Sequence, residues 1–116
     1  MSKQDPNLHL NYGWEFRESG WNIGIDNNLL KLGAIVHLSV IADNLVIPPS
    51  SPNEGDRYIV HEGAYDVWLG HERKIAVRRD GIWNFYVPEE GWLCWVKNRK
   101  VLRVYTDLVW EDLVSL

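Results

Sequence analysis

Lys74 to Val87 reads KIAVRRDGIWNFYV, and this stretch decides the fold class. Asp80 and Gly81 favour a two-residue hairpin turn, because both residue types tolerate the left-handed backbone that such a turn requires. After the turn, every second residue is large and apolar and falls on one face: Trp83, Phe85 and Val87. The pattern predicts an antiparallel hairpin with one dry face and one mixed face.

On both sides of this hairpin, short segments with a period of two follow one another from Arg57 onward. The predicted strands cover 57–61, 65–69, 74–79, 82–87, 92–96, 101–105 and 108–113. Turn residues separate them, and Glu90-Gly91 and Asn98-Arg99 are the clearest further turn signals. The sequence therefore predicts an antiparallel β-meander of about six or seven short strands.

The segment before the strands has helical spacing. Apolar residues three and four positions apart form two stripes between about residues 22 and 44. The first stripe contains Ile25, Leu29, Leu32, Val36 and Val40, and the second contains Leu30, Ala34, Leu38, Ile41 and Leu45. A helix that is apolar on two sides is normally buried. We therefore expect one long buried helix, which ends before the proline-rich segment at residues 47–52.

One stripe of this helix has no obvious partner within so short a chain. We expect one stripe to pack on the chain's own sheet and the other on copies of the same chain. The predicted oligomer interface is a helical seam of Ala34, Leu38, Ile41 and Leu45, whose spacings resemble those of a coiled coil. The alternative is a helix sandwiched within the monomer.

The length of 116 residues suits one compact domain. Residues 1–20 contain Pro6, Gly13 and Gly20 without a clean period, and we predict that they form an extended N-terminal arm. Residues 21–116 are predicted to form a single domain in which the helix precedes the meander. The predicted fold class is therefore α+β.

Composition and charge disfavour several classes of protein. The formal net charge of −4 argues against general binding of nucleic acid. The single cysteine, Cys94, excludes an internal disulfide and a zinc site with several cysteines. No apolar run is long enough to cross a membrane, and the N-terminal residues lack the pattern of a signal peptide. We expect neither nucleic acid nor a membrane as a partner.

Patterns that carry catalysis or metal binding are weak in this chain. The four histidines do not fall at a familiar metal-ligand spacing. Cys94 lies in an apolar segment, with no group nearby in sequence to activate its thiol. Glu89 and Glu90 could act on a glycosidic bond, but their place in a predicted turn favours a solvated pair. We therefore expect no enzymatic activity, no catalytic residues, no metal site and no cofactor.

The seven tryptophans are the one feature that suggests a ligand. Flat aromatic rings bury a large area and can stack against sugars. Trp68 and Trp110 stand beside predicted turns and are the candidates for a glycan-facing position. Arg78 and Arg79 belong to the densest basic patch and could contact an acidic surface polysaccharide, although a solvated strand edge is the plainer interpretation.

The order of several motifs resembles a known family. Near the helix these are Gly20-Trp21 and NNLLKL at 27–32, followed by PPSSP at 48–52 and GDRYIV at 55–60. Then come WLGH at 68–71 and IAV at 75–77. The hairpin that follows contributes Asp80-Gly81, Trp83, Phe85-Tyr86, Pro88, Gly91-Trp92 and Trp95-Val96. From about Tyr12 to Leu113, the chain resembles a domain family of unassigned function in phage tail fibres and in spike or fibre proteins of gene transfer agents.

The resemblance implies a structural role in a virion, assembled in the cytoplasm of a bacterial host. It implies a tail-fibre, spike or fibre-adaptor module that forms a homotrimer and takes part in host attachment. The N-terminal arm would dock onto other fibre, tail or capsid proteins. The alternative function is that of a carbohydrate-binding module for host surface polysaccharide. The family supplies no catalytic residues.

Overall fold

The computed structural model of the protein describes residues 3–116. The chain divides into two compact units, Met1–Val36 and His37–Leu116. The helix lies in the first unit and the larger sheets lie in the second. The coarse α+β class predicted from the sequence is confirmed.

The N-terminal unit starts with a small hairpin. Strands β1 (Lys3–Gln4) and β2 (Asn11–Tyr12) pair antiparallel. The Asp5 carboxylate holds the loop between them, because it accepts hydrogen bonds from the backbone N–H groups of Asn7, Leu8 and Leu10 at 2.9, 2.9 and 2.6 Å. Residues 3–12 therefore fold back on themselves, which differs from the extended arm predicted for residues 1–20.

Helix α1 spans Trp21–Ile35 and ends at Val36, whose backbone is extended. The prediction of a helix over 22–44 is therefore wrong at its C-terminal end. The reason lies in a second period within the same residues, because Leu38, Val40 and Ala42 are buried at every second position. A strand thus competes with the helix for this segment and forms in its place.

The shorter helix also changes the predicted seam. Of its four residues, only Ala34 lies in α1, whereas Leu38, Ile41 and Leu45 belong to the unit that begins at His37. Leu38 is buried, and Ile41 and Leu45 pack against the aromatic core of that unit. A seam of these four residues along one helix is therefore wrong.

One side of α1 packs on the N-terminal hairpin and the loop after it. Asn28 exchanges hydrogen bonds with Asn11, and the Lys31 ammonium donates to the Leu8 carbonyl oxygen. The Trp14 ring lies so close to Gly24 that a Cβ there would come within 2.4 Å of Trp14 Cζ2. These helix residues are three or four positions apart, so they define a single packed face.

The C-terminal unit contains two sheets. Its strands are β3 (Ser39–Val40), β4 (Arg57–Ile59), β5 (Ile75–Arg79), β6 (Ile82–Tyr86), β7 (Leu93–Val96), β8 (Val101–Thr106) and β9 (Val109–Ser115). The first sheet has the order β4-β5-β6 and the second has the order β3-β7-β8-β9. All pairs are antiparallel except β3 with β7.

The predicted meander is confirmed only within each sheet. It breaks between β6 and β7, where Pro88 lacks the N–H that a ladder needs. The predicted strand at 65–69 is wrong, since Asp66–Trp68 form a single 3₁₀ turn. The Asp80-Gly81 hairpin turn is confirmed, and both residues have a positive φ, 54° and 76°.

A short segment connects the two sheets. Ser39 and Val40 pair with β7, and the next residues pair with β4 through the Ala42–Tyr58 bridge. Ser39–Ala42 therefore belongs to both sheets. This shared segment places Asp43, the following residue, at the junction of the two sheets.

The core of the first sheet has an ionisable neighbour. The His71 ring stacks on Phe85 with the ring centroids 3.7 Å apart. The Lys74 ammonium lies 3.1 Å from His71 Nδ1. Burial, followed by the positive charge of Lys74, lowers the pKa of His71 below its ordinary value.

This arrangement predicts a pH-dependent stability. The unfolded chain binds a proton at His71 more readily than the folded chain does. The neutral ring therefore makes its full contribution to the free energy of unfolding above the ordinary pKa of 6.5, and this contribution is lost as the pH falls through the lowered pKa. We expect the free energy of unfolding in urea to decrease on this titration. His71→Asn should decrease less over the same range, and an equal decrease in both proteins would contradict the prediction.

Candidate functional site

A buried carboxylate paired with two arginines lies at the junction of the two sheets. The Asp43 side chain is only 3% exposed. Arg99 donates to it from Nε at 3.1 Å and from Nη2 at 2.6 Å, and Arg103 donates from Nη1 at 2.8 Å. The contact with Arg99 is bidentate, which gives both strength and a fixed orientation.

The strands fix the position of each charge. Arg103 and Asp112 are directly paired residues on β8 and β9, and Arg99 lies in the turn between β7 and β8. Asp112 closes the network, with its Oδ1 at 3.2 Å from Arg99 Nη2 and 2.9 Å from Arg103 Nε. Arg103 also donates to the Trp110 carbonyl oxygen at 2.7 Å.

The electrostatics of this charge network keep Asp43 ionised. Burial raises the pKa of Asp43, but the hydrogen bonds and charges of Arg99 and Arg103 outweigh it, so the pKa falls below its ordinary value. The pKa of Arg99 is raised by its hydrogen bonds to Asp43 and Asp112. The network therefore stays charged, and it leaves part of the acceptor capacity of the Asp43 carboxylate unused.

A pocket of about 220 Å³ opens beside this network. Its lining combines charged and apolar side chains: Asp43, Ile59, Val60, His61, Glu62, Arg73, Arg103, Val109 and Trp110. Ile59, Val60 and Trp110 are buried, whereas Glu62 and Arg73 are exposed. The pocket thus has a dry floor and a charged rim.

The rim offers donors and acceptors side by side. Arg73 Nη1 donates to Glu62 Oε1, which leaves other guanidinium N–H groups and the second carboxylate oxygen for a ligand. The Trp110 indole N–H donates to the Arg73 carbonyl oxygen at 2.9 Å and ties the pocket wall to the rim. Such a pocket can hold a small polar ligand that both donates and accepts hydrogen bonds.

The two tryptophans predicted to face a glycan are buried. Trp68 is 0% exposed and Trp110 is 6% exposed, so the expectation of exposed rings is wrong for both. Trp68 packs between Tyr58 and Trp83, with ring centroids 5.7 and 5.2 Å away. A position beside a turn did not leave these rings in solvent, because the turn itself folds onto the core.

The two arginines predicted to face a glycan are half-buried on β5. The Arg78 guanidinium lies over the Trp83 ring, 5.4 Å from its centroid. Arg79 donates to the Tyr86 hydroxyl at 3.0 Å. Of the four predicted glycan-facing residues, Trp110 alone is among the residues that line the pocket.

A second surface is the exposed apolar side of α1. Trp21, Ile25 and Leu29 lie four residues apart on one side of the helix and are between 38% and 61% exposed. Asn28 and Lys31, which contact the hairpin, lie directly beside this side, since Asn28 follows Ile25 by three positions. Trp21, Ile25 and Leu29 together form the apolar stripe of α1.

Other chemistry in the described part of the chain is sparse. Cys94 is buried, and burial raises the pKa of its thiol to about 12, which makes it a poor nucleophile. Residues 3–116 contain no cluster of three or more histidine, cysteine, aspartate or glutamate residues that could hold a metal ion. Within the same range, no helix combines the length and apolar character needed to cross a bilayer.

The charge network was missed by the sequence analysis. Its members lie far apart in the chain, and no short motif connects Asp43 with Arg99, Arg103 and Asp112. One signal was available, because Asp43 interrupts an apolar run. A charged residue in such a run has to find a partner on folding.

The fold and these surfaces define a small α+β module with a charged pocket and an exposed apolar stripe on its helix. Residues 25–111 match the family described as protein of unknown function (DUF2793), and the chain belongs to that family. No curated protein matches the chain.

Proposed function

We propose that the protein is a non-enzymatic structural component of a bacteriophage or phage-like particle. In this proposal it is a tail-fibre, spike or fibre-adaptor module that assembles as a homotrimer. It is made in the cytoplasm of the bacterial host and serves in the virion during host attachment. The resemblance in motif order, from Gly20-Trp21 to Val96, is what points to a particle.

The observation that carries the proposal is the apolar stripe of α1. Trp21, Ile25 and Leu29 expose a continuous apolar surface on a chain of 116 residues. A surface of this kind commonly marks a site of protein association. An assembly of identical chains explains it without an additional partner, and closed rotational symmetry is the usual form of such an assembly.

The N-terminal hairpin is the surface that we assign to docking on other fibre, tail or capsid proteins. Asp5 holds its loop through three backbone hydrogen bonds, so a partner would meet a preformed shape. Preformed loops lose less conformational entropy on binding than extended segments do.

The proposal predicts a trimer that depends on the stripe. Light scattering should give three times the chain mass of 13.5 kDa. Ile25→Asp would place a charge in the interface, and we expect it to weaken association on the order of 100-fold. Asn27→Asp is the matched control and should remain trimeric, because Asn27 is exposed and lies two residues from both Ile25 and Leu29, on the opposite side of the helix. A monomeric wild-type chain, or an Ile25→Asp trimer of unchanged affinity, would refute the proposal.

The pocket beside Asp43 favours a second candidate function, which is the binding of a host surface glycan. Sugar hydroxyls donate and accept hydrogen bonds, and the rim formed by Arg73 and Glu62 can satisfy both roles. The size of the pocket suits a single sugar unit more than a long chain. The particle role and the glycan role are compatible in one protein.

Tryptophan fluorescence tests the glycan candidate. Host polysaccharide should change the emission of the wild-type chain, because Trp110 lines the pocket. Arg73→Ala should weaken this response at least tenfold, whereas Arg78→Ala, which changes an arginine outside the pocket, should preserve it. A response lost in Arg78→Ala and kept in Arg73→Ala would reject the pocket and favour the β5 surface.

A further inference from the structure

The outer face of the second sheet is apolar where solvent-facing residues are expected. In β7, Cys94 and Val96 point inward and are fully buried, so Leu93 and Trp95 point to the other face. Trp95 pairs with Leu102 on β8, and Leu102 pairs with Val114 on β9. Directly paired residues share a face, so these residues form one apolar outer sheet face.

This outer sheet face is accessible at its margins. Leu93 and Val114 are 52% and 54% exposed, and Trp95 and Leu102 are half-buried. An antiparallel sheet with one face in solvent normally alternates between apolar and polar residues. Here the outward positions on the two central strands are apolar, and polar residues of this face lie on the edge strands, Ser39 on β3 and Glu111 on β9. An apolar sheet face is normally buried against a second layer, which is either a helix or another sheet.

We propose that the apolar stripe of α1 in one copy of the chain docks on the outer sheet face of β7–β9 in the next copy. The inference deepens the proposed function and rests on it, because it names the surfaces that would join the copies. The contact is heterologous, since it joins two different surfaces. Heterologous contacts build closed rings when the rotation closes, and three copies would form such a ring.

The sizes and chemistry of the two surfaces agree. With about 200 Å² for a fully exposed large apolar residue, the stripe and the sheet face would each bury about 300 Å². The two surfaces would together bury about 600 Å² of apolar area. Because apolar atoms supply about 60% of a typical interface, the total buried area would be about 1,000 Å², which reaches the size of a specific interface. The stripe carries no charge, and neither do the outward residues of the two central strands. Glu111, a charged residue of this sheet face, is exposed on the edge strand β9, where it can keep its contact with water on docking.

Chemical cross-linking of the whole chain tests the inference. Leu29→Cys and Val114→Cys are combined in one chain and treated with a short bis-maleimide, while buried Cys94 stays unreactive. We expect covalent dimers and trimers from this double variant and at least tenfold less product from either single variant. Leu29→Cys combined with Val67→Cys, an exposed position in the 3₁₀ turn, is the matched control and should give no such product.

The outcomes separate this inference from the proposed function. Strong cross-linking by Leu29→Cys alone would place helix against helix and overturn the inference, although a trimeric mass would leave the proposed function standing. If the Leu29→Cys/Val114→Cys double variant has the mass of a trimer but gives no cross-link between chains, the inference is likewise overturned and the proposed function still stands. A second variant, Val114→Arg, should dissociate the trimer as Ile25→Asp does, and an unchanged mass for it would also overturn the inference.

Discussion

Replacement of Asp43 by asparagine should destabilise the folded protein by about 3–5 kcal/mol. The substitution keeps the shape of the side chain and removes the charge that Arg99 and Arg103 share at 2.6 and 2.8 Å. Arg103 is mostly buried and would keep only the exposed Asp112 as a charged partner, which compensates its charge less well than the buried Asp43 does. Urea unfolding followed by far-UV circular dichroism would measure the loss.

Asp112→Asn is the control for this prediction. Asp112 contacts the same two arginines, but its side chain is exposed and its ion pairs are weakened by solvent. We expect a loss of less than about 1 kcal/mol, as for other exposed ion pairs. Equal losses for the two variants would show that burial does not determine the strength of the network.

Replacement of Trp68 by alanine should cost about 3–5 kcal/mol. Trp68 is fully buried, and its ring packs on Tyr58 and Trp83 at the centre of the aromatic core. Removal of the ring leaves a cavity that these rigid neighbours cannot fill. Trp68→Phe keeps part of the packing and should lose clearly less, which preserves a measurement if the alanine variant does not fold.

Val67→Ala provides the comparison on the same 3₁₀ turn. Val67 is the residue before Trp68, and its side chain is exposed. Its truncation should change the free energy of unfolding by no more than about 0.5 kcal/mol. A large loss in Val67→Ala would mean that the turn itself, and not the buried ring, contributes most of the stability.

Local signals predicted the strands well. The Asp80-Gly81 turn and the alternation around it depend on neighbours in sequence, and the observed register pairs Arg79 with Ile82 as a two-residue turn requires. The turns near Gly91 and Arg99 lie where the sequence predicted them. Such features follow from backbone preferences that each residue carries with it.

Features that depend on distant partners could not be predicted. Leu38 and Val40 fit a helical stripe and an alternating strand equally well, and pairing with Trp95 and Val96 on β7 decides between the two. The division into two sheets follows from this same pairing. Contacts between residues more than fifty positions apart leave no local periodicity in the sequence.

The candidate site was the least predictable part. Its pocket is lined by residues from several separate segments, and of the four residues predicted to face a glycan only Trp110 is among them. Trp68 and Trp110 were assigned to the surface because they stand near turns. Burial of a tryptophan depends on what the turn packs against, and here Tyr58 covers one ring and Tyr105 covers the other.

The segment Ser39–Ala42 has a consequence for the order of folding. The β5–β6 and β8–β9 hairpins connect neighbouring residues and can close early, at a small cost in loop entropy. The pairing of Ser39 with Trp95 requires nearly half of the chain to be enclosed first. We therefore expect the pairing of this segment with β7 and β4 to be a late step of folding, which joins the two sheets after their hairpins have formed.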